Sequence, residues 1–576
     1  MSRPRSFCLL VSTLAALALG VPAGTWASEG AHPVEGRGLA GWNDFFLKRT
    51  KPIQFQRGLG NIGMRVTTDS ALAQSWFDQG LAQLFGFAHE DAIYSFENAL
   101  RADPNLAMAW WGIAWAFGEN INLLADAERA REAERAAAKA KALMGPASER
   151  EQAYIRAIQG RYQEGFEPLG SKDRAPLDRE FFLRMEHVRR TFSNDLHAAT
   201  LAAEAGLDLH PWDQWSKDGK ARPETLLIVG VLKDVLERDP HHVGAQHYLI
   251  HAVEASPDPD EAALAAWRIK SDAWGQPHLV HAASHIYARD GDWGAAMISG
   301  EDAEHEDALY LEQNGRHNLY TLAHGSHNIH FEASVMSMGG RERLAVANAK
   351  QLRLRVEPYL DDLRGLEYYQ FYEILMRTRF GEWQRVLDMP PPQHAYLLGA
   401  RAMRHYARGV AFAKLGQLGQ AEDERRALAA LRDQLRLTPK YPKFNLNPAV
   451  DVVNVALAVL EARMEWARGD RRQAVDRFRD AVRLETGLHY DEPPPWYFPS
   501  GEALGAALIV MGRYDEAEAA FLAVLKEFPD DGRALFGLAE SLRRRGAPTT
   551  VVAPVERSFS RAWRWADRPL TLNDLL

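Results

Sequence analysis

From about residue 70 to its end the chain repeats apolar positions with the period of an α-helix, and no run of alternating apolar and polar residues interrupts it. Asp69 and Ser70 are good N-caps for the first long helix. After them come Trp76, Gly80, Ala92, Phe96, Ala99 and Pro104, a pattern that fits a unit of about 34 residues made of two helices. Small residues let two antiparallel helices approach closely, and the aromatic plugs the gap between them. Proline closes the second helix because it cannot continue the hydrogen-bond ladder. Gly505, Ala517, Phe521, Val524 and Pro529 repeat the pattern near the C-terminus; Ala474, Phe478 and Ala481 repeat part of it, and Gly409 with Ala421 less of it.

These positions resemble those of the tetratricopeptide-repeat family, at both ends of the chain more than in the middle. The resemblance implies an all-α fold, a tetratricopeptide-like α-solenoid of antiparallel helix pairs. It is silent on chemistry, since such repeats serve many roles. At 576 residues the chain is too long for one ordinary core, which agrees with a repeat array. The expected divisions are 1–27, a signal peptide; 28–69, an extended lead-in; 70–165, N-terminal repeats; 166–395, a helical histidine-rich region; and 396–576, C-terminal repeats.

The leader reading rests on Arg3 and Arg5, the apolar stretch Phe7 to Leu19, and Thr25-Trp26-Ala27 as a cleavage site. A membrane anchor needs about 20 apolar residues, more than this stretch offers. The chain is therefore expected in the periplasm or outside the cell, with no integral membrane segment once the leader is cleaved. Losing the two leader arginines takes the net charge from −9 to −11, a balance that gives no support for nucleic-acid binding, which needs a basic stripe. The single cysteine, Cys8, goes with the leader. No disulfide, thiolate ligand or cysteine nucleophile remains, so any metal must be held by nitrogen and oxygen.

Three runs between His247 and His330 carry histidines at one-turn spacing: His247, His251 and Glu254; His278, His281 and His285; and His324, His327, Asn328 and His330. Side chains three or four apart on a helix share a face, with Cβ atoms roughly 5–6 Å apart. Any one of these residues alone reads as a hydrogen-bonded core histidine. In the first run, however, Tyr248, Leu249, Ile250, Ala252 and Val253 make the helix apolar nearly all round, which marks it as buried. A line of buried polar groups needs partners, and clustered imidazolium charges repel. A metal cation removes both difficulties. Pro277 suits the first turn of the second helix and leaves His281 and His285 as the better pair. Gly325 interrupts the third run and sets His324 apart.

The segments HYLIHAVEAS, HLVHAASHIY and HNIHF, with the earlier FAHEDAIYSFENALRADPNLAMAWWGIAWAFGENIN, resemble a group of exported bacterial tetratricopeptide proteins over most of residues 55–350. That group shows a histidine-rich centre of the form HYxxHxxE, HxxxHxY and HNxHF. The resemblance implies that His247, His251, Glu254, His281, His285, His327 and His330 belong to one metal site. His89, Asn120 and Asn122 fall in the shared stretch and, with His278, His324 and Asn328, are candidates for its outer rim or for substrate contact. The alternative is a helix cap for His89 and turn positions for the asparagines. This chain departs from the group in carrying His324 where an aromatic residue is usual.

Other motifs carry less. Gly58, Gly60 and Gly63 match a dinucleotide fingerprint in letters, but no parallel sheet follows. The acidic run Glu301, Asp302, Glu304, Glu306 and Asp307 reads as a solvated helix face, with Asp302 a distant further ligand. Imidazole with one or two carboxylates suits zinc, copper, iron or nickel; the Glu254 carboxylate leans toward iron, manganese or zinc, and a histidine-only site in an exported protein toward copper. Seven candidate ligands exceed the four of a structural zinc site. Either two ions sit close together, or one is surrounded by histidines that orient it. Three functions follow: a metal-dependent oxidoreductase or hydrolase with a small-molecule substrate, a metal-free scaffold holding a peptide or protein partner through its repeats, or a metal carrier.

Overall fold

The computed structural model describes residues 49–123, 125–162, 171–438 and 443–576. Residues 1–27, read as a signal peptide, and the first part of the lead-in lie outside the described residues. Among the described residues helices follow one another from Ala71 onward, with no strand and only isolated bridges. Each helix packs mainly on its neighbours in sequence, so the chain is an all-α solenoid of antiparallel helix pairs.

The spacing of small and aromatic residues builds these pairs. Ser70 caps Ala71–Phe85 by accepting from the Ala73 N–H at 3.2 Å. Phe96, fully buried, is wedged between Gly80 and Gly112, where a Cβ would fall 2.7 Å and 2.5 Å from its ring. Phe521 stands in the same way between Gly505 and Gly537, at 2.5 Å and 2.1 Å. Helices His89–Ala102 and Tyr514–Glu527 both end just before their prolines, Pro104 and Pro529. Gly537→Ala should therefore lower the melting temperature. Alanine gains about 1 kcal/mol in helix propensity, but overpacking a buried ring costs about 1–3 kcal/mol. A melting temperature above that of the parent chain would contradict this packing.

The lead-in runs alongside the histidine-bearing helices. Leu59, Met64 and Val66 are buried, and the Gln276 amide donates to the Leu59 carbonyl at 2.8 Å. Gly58 and Gly60 take positive φ, and side chains there would strike Trp274 and Val243. These glycines serve close packing of an extended segment, and no strand precedes them among the described residues.

The C-terminal repeats touch the histidine region again. Arg289 donates to the carbonyls of Glu254, Ser256 and Glu527, at 3.0, 3.3 and 3.3 Å. The Trp293 indole donates to Pro529 at 3.2 Å, and the Tyr490 hydroxyl to the Glu254 carbonyl at 3.2 Å. Helices far apart in sequence thus close around the same interior.

Candidate metal centre

Three helices deliver the histidines: Val243–Val253, Pro277–Arg289 and Leu319–Met338. Every residue of Val243–Val253 is buried, as its all-round apolar character implies. Pro277 opens the second helix at its first turn. The third begins at a capping box of Asn318 and Thr321 and runs unbroken through Gly325. A Cβ at Gly325 would come within 2.5 Å of the Arg355 guanidinium, so the glycine there makes room for a half-buried arginine and does not break the helix.

The rings sort into two sets of three, His247 with His251 and His278, and His281 with His285 and His327; within each, one ligand atom per residue lies within 4.8 Å of the others. Five of the six are buried, and His327 is partly exposed. His278 therefore leaves the neighbours on its own helix and joins the set on the preceding one.

The proton positions in the first set are fixed by its surroundings. His247 Nδ1 faces the Phe85 carbonyl at 2.7 Å, and His251 Nδ1 faces Glu254 Oε1 at 2.8 Å. Both oxygens only accept, so each Nδ1 must carry the hydrogen. That leaves the two Nε2 lone pairs pointing at each other across 3.0 Å. Only a shared positive occupant, a proton or a metal ion, removes the repulsion. Two nitrogens held about 2.0–2.1 Å from one ion would be about 2.9 Å from each other in a square-planar site and about 3.3 Å in a tetrahedral one. A proton would serve this pair alone. A metal ion would also take up His278, both of whose buried ring nitrogens have no hydrogen-bond partner. The second set has the same spacing, with His281 and His285 Nε2 atoms 2.9 Å apart and His285 Nδ1 on Glu254 Oε2 at 2.5 Å. Its proton positions are not fixed in the same way, because His281 can carry its hydrogen on Nε2 and donate to His285. There, His281 Nδ1 is buried without a partner.

Glu254, His251 and His285 form a third group whose ligand atoms lie within 4.8 Å of one another; both Glu254 oxygens face Nδ1 atoms, so the carboxylate joins one histidine of each three-histidine set. Burial raises its pKa, yet His251 and His285 outweigh that and draw the carboxyl down to about 2. Burial, and then the neighbouring imidazoles, push His247, His278, His281 and His327 well below the ordinary histidine value, so these rings are neutral and their lone pairs available.

A nearby pair shows what a satisfied histidine contact looks like. His242 Nδ1 accepts from the Ala245 N–H at 3.2 Å, so its Nε2 carries the hydrogen and donates to His197 Nδ1 at 3.0 Å. His197 Nε2 then donates to the Gly63 carbonyl at 3.1 Å. No lone pairs collide. Burial, then the His197 ring, lowers the His242 pKa to about 3. Below the ordinary value of 6.5 the unfolded chain takes up a proton that folded His242 refuses. Its contribution to stability is therefore complete above that value and lost as pH falls toward about 3. His242→Asn keeps a capping side chain and should flatten the acid limb. Between pH 7 and 4 the parent is expected to lose about 3 kcal/mol more than the variant, at about 1.4 kcal/mol per unit. Parallel loss in urea melts would contradict the assignment.

The remaining candidates divide. His330 is turned away from both sets, its ring 4.1 Å from Tyr372 and 4.9 Å from Tyr368. His324 lies 4.5 Å from the His278 ring but belongs to neither set. Asn328 donates to Asp307 at 2.7 Å, and Asp307 is buried, so that end of the acidic run is not solvated. Asp302 is exposed and pairs with Lys270. His89 is buried 3.5 Å from Asn120, whose Oδ1 accepts the N–H groups of Asn122 and Leu123, a turn role. Sequence reasoning missed Phe87 and Trp212, whose rings touch the first set. It singled out small residues and histidines at helical spacing, and both aromatics stand in turns.

Residues 502–550 match the family model described as tetratricopeptide repeat. No curated protein matches the chain. Among solved structures, the human IFIT1 dimer with m7Gppp-AAAA aligns over 87% of this chain and 92% of its own, at 11% identity and a TM-score of 0.30. The APC/C hetero-tetramer Cut9-Hcn1 aligns over 86% and 96%, at 13% identity and a TM-score of 0.26. Overlaps this loose say nothing about the histidines.

Proposed function

We propose that this chain, a tetratricopeptide-repeat protein, holds one transition-metal ion in each three-histidine set and uses the two ions to act on a small molecule. The observation that carries the reading is the His247–His251 contact, where two Nε2 lone pairs face each other at 3.0 Å with both Nδ1 atoms committed to oxygen acceptors. Three protein ligands per ion leave a coordination position for water or substrate, as in catalytic metal sites. A buried, convergent site with aromatic walls is the usual form of a small-molecule centre. With Glu254 outside the two three-histidine sets, nitrogen alone remains, and among copper, iron and zinc this favours copper and hence oxidoreductase chemistry. A carrier would keep its ligands exposed, whereas five of these six rings are buried. Protein partners fit the outer repeats, including the matched segment 502–550, and do not compete for the histidines. Export, read from residues 1–27, belongs to the same proposal because an exported copper site needs no cysteine.

X-ray absorption on the metal-loaded chain tests the donor assignment. The expected spectrum has a nitrogen shell at about 2.0–2.1 Å with imidazole features. A shell dominated by carboxylate oxygen would defeat the assignment.

A further inference from the structure

Five helix-to-helix turns of this chain share one backbone solution. Gly291, Gly340, Gly381, Gly416 and Gly512 each take a positive φ of 74° to 79°. The N–H of the next residue returns to a carbonyl five positions back, as from Asp292 to Tyr287 at 2.8 Å and from Arg341 to Met336 at 2.9 Å. This is the helix-ending motif in which glycine fills the left-handed position without steric penalty. In each, the following helix starts two residues after the glycine.

The turn before His89 uses the same geometry with a different residue. Ala88 donates to the Gln83 carbonyl at 3.0 Å, the next helix begins at His89, and the left-handed position, with φ of 56°, is held by Phe87. A bulky side chain there is a steric outlier, and such strain persists where the surroundings demand it. The Phe87 ring is buried against all three members of the first set, 4.6 Å from His247, 5.9 Å from His251 and 5.6 Å from His278 between ring centres. The other non-glycine residues with positive φ among the described residues are Trp212, Asn445 and Asp530. Asn and Asp tolerate that conformation. Trp212 does not, and its half-buried ring stands edge-on to His251 at 5.8 Å.

We propose that Phe87 is a positioning residue for the first metal set, its ring fixing the rotation of His247, His251 and His278 and excluding water from the face it covers, with Trp212 closing the same set from the solvent side. The proposal rests on the two-ion reading above. Phe87 displaces the residue its turn prefers because the ring is needed there.

The test uses Co2+ as a coloured probe in the metal-stripped chain, in a His285→Ala background that leaves only the first set intact. Phe87→Gly restores the residue of the other turns, Phe87→Leu keeps apolar bulk without a ring, and Phe87→Tyr keeps the ring. The glycine and leucine variants are expected to weaken Co2+ binding by about tenfold or more and to shift its visible bands. The tyrosine variant should retain both parental affinity and bands. Should the glycine variant lose its helical signal, the leucine variant decides. Parental affinity and bands in a folded leucine variant would overturn the positioning role alone, as would equal losses in the leucine and tyrosine variants. A parent chain that takes up no Co2+ would overturn the two-ion reading and this inference with it.

Discussion

Glu254→Gln should weaken metal binding at both histidine sets at once, by about 10–100-fold each. One carboxylate accepts from His251 Nδ1 with one oxygen and from His285 Nδ1 with the other. Glutamine keeps a single acceptor and presents an N–H to the second ring. One histidine must then flip its tautomer, which puts a hydrogen on the nitrogen meant for the metal. Because the Glu254 pKa is drawn down to about 2, the carboxylate is ionised at any practical pH, and the variant removes a full buried negative charge. Chelator competition at neutral pH gives the two affinities. Loss at one set alone would mean that the carboxylate serves only that set.

His251→Ala and His285→Ala form the second large expectation. Each removes a ligand from one set, so each should lower bound metal from two ions per chain to one, and the double variant should hold none. Far-UV helicity should stay near that of the parent, because consecutive helix pairs carry the fold and the sets lie between them. Unfolding of both single variants would instead assign these rings to packing.

Much of this was legible in the sequence because it is local. A glycine-aromatic-glycine sandwich such as Gly80, Phe96 and Gly112 depends on residue size at fixed helical offsets, and the structure repeats it at Gly505, Phe521 and Gly537. One-turn spacing likewise brought His247 to His251 and His281 to His285. Membership of the sets was not legible, because it depends on how helices cross. His278 shares a helix with His281 yet joins His247 and His251. Glu254, one turn past His251, has the spacing of a ligand, but its position at the helix end turns the carboxylate onto the Nδ1 side. His330 follows His327 by three residues and meets a wall of tyrosines instead. Asp307 was hidden in an acidic run whose other members are exposed or half-buried; full burial against Asn328 sets it apart. A phenylalanine in a left-handed turn has no sequence signal at all, since only the backbone reveals that Phe87 stands in a glycine's position.

Elemental analysis of the purified, dialysed chain after exposure to copper and zinc tests the central claim most directly. Two tightly held ions per chain are expected, one for each set of three imidazoles. Less than one ion per chain would contradict the account, leaving a proton between the facing nitrogens and a helical scaffold without a metal centre.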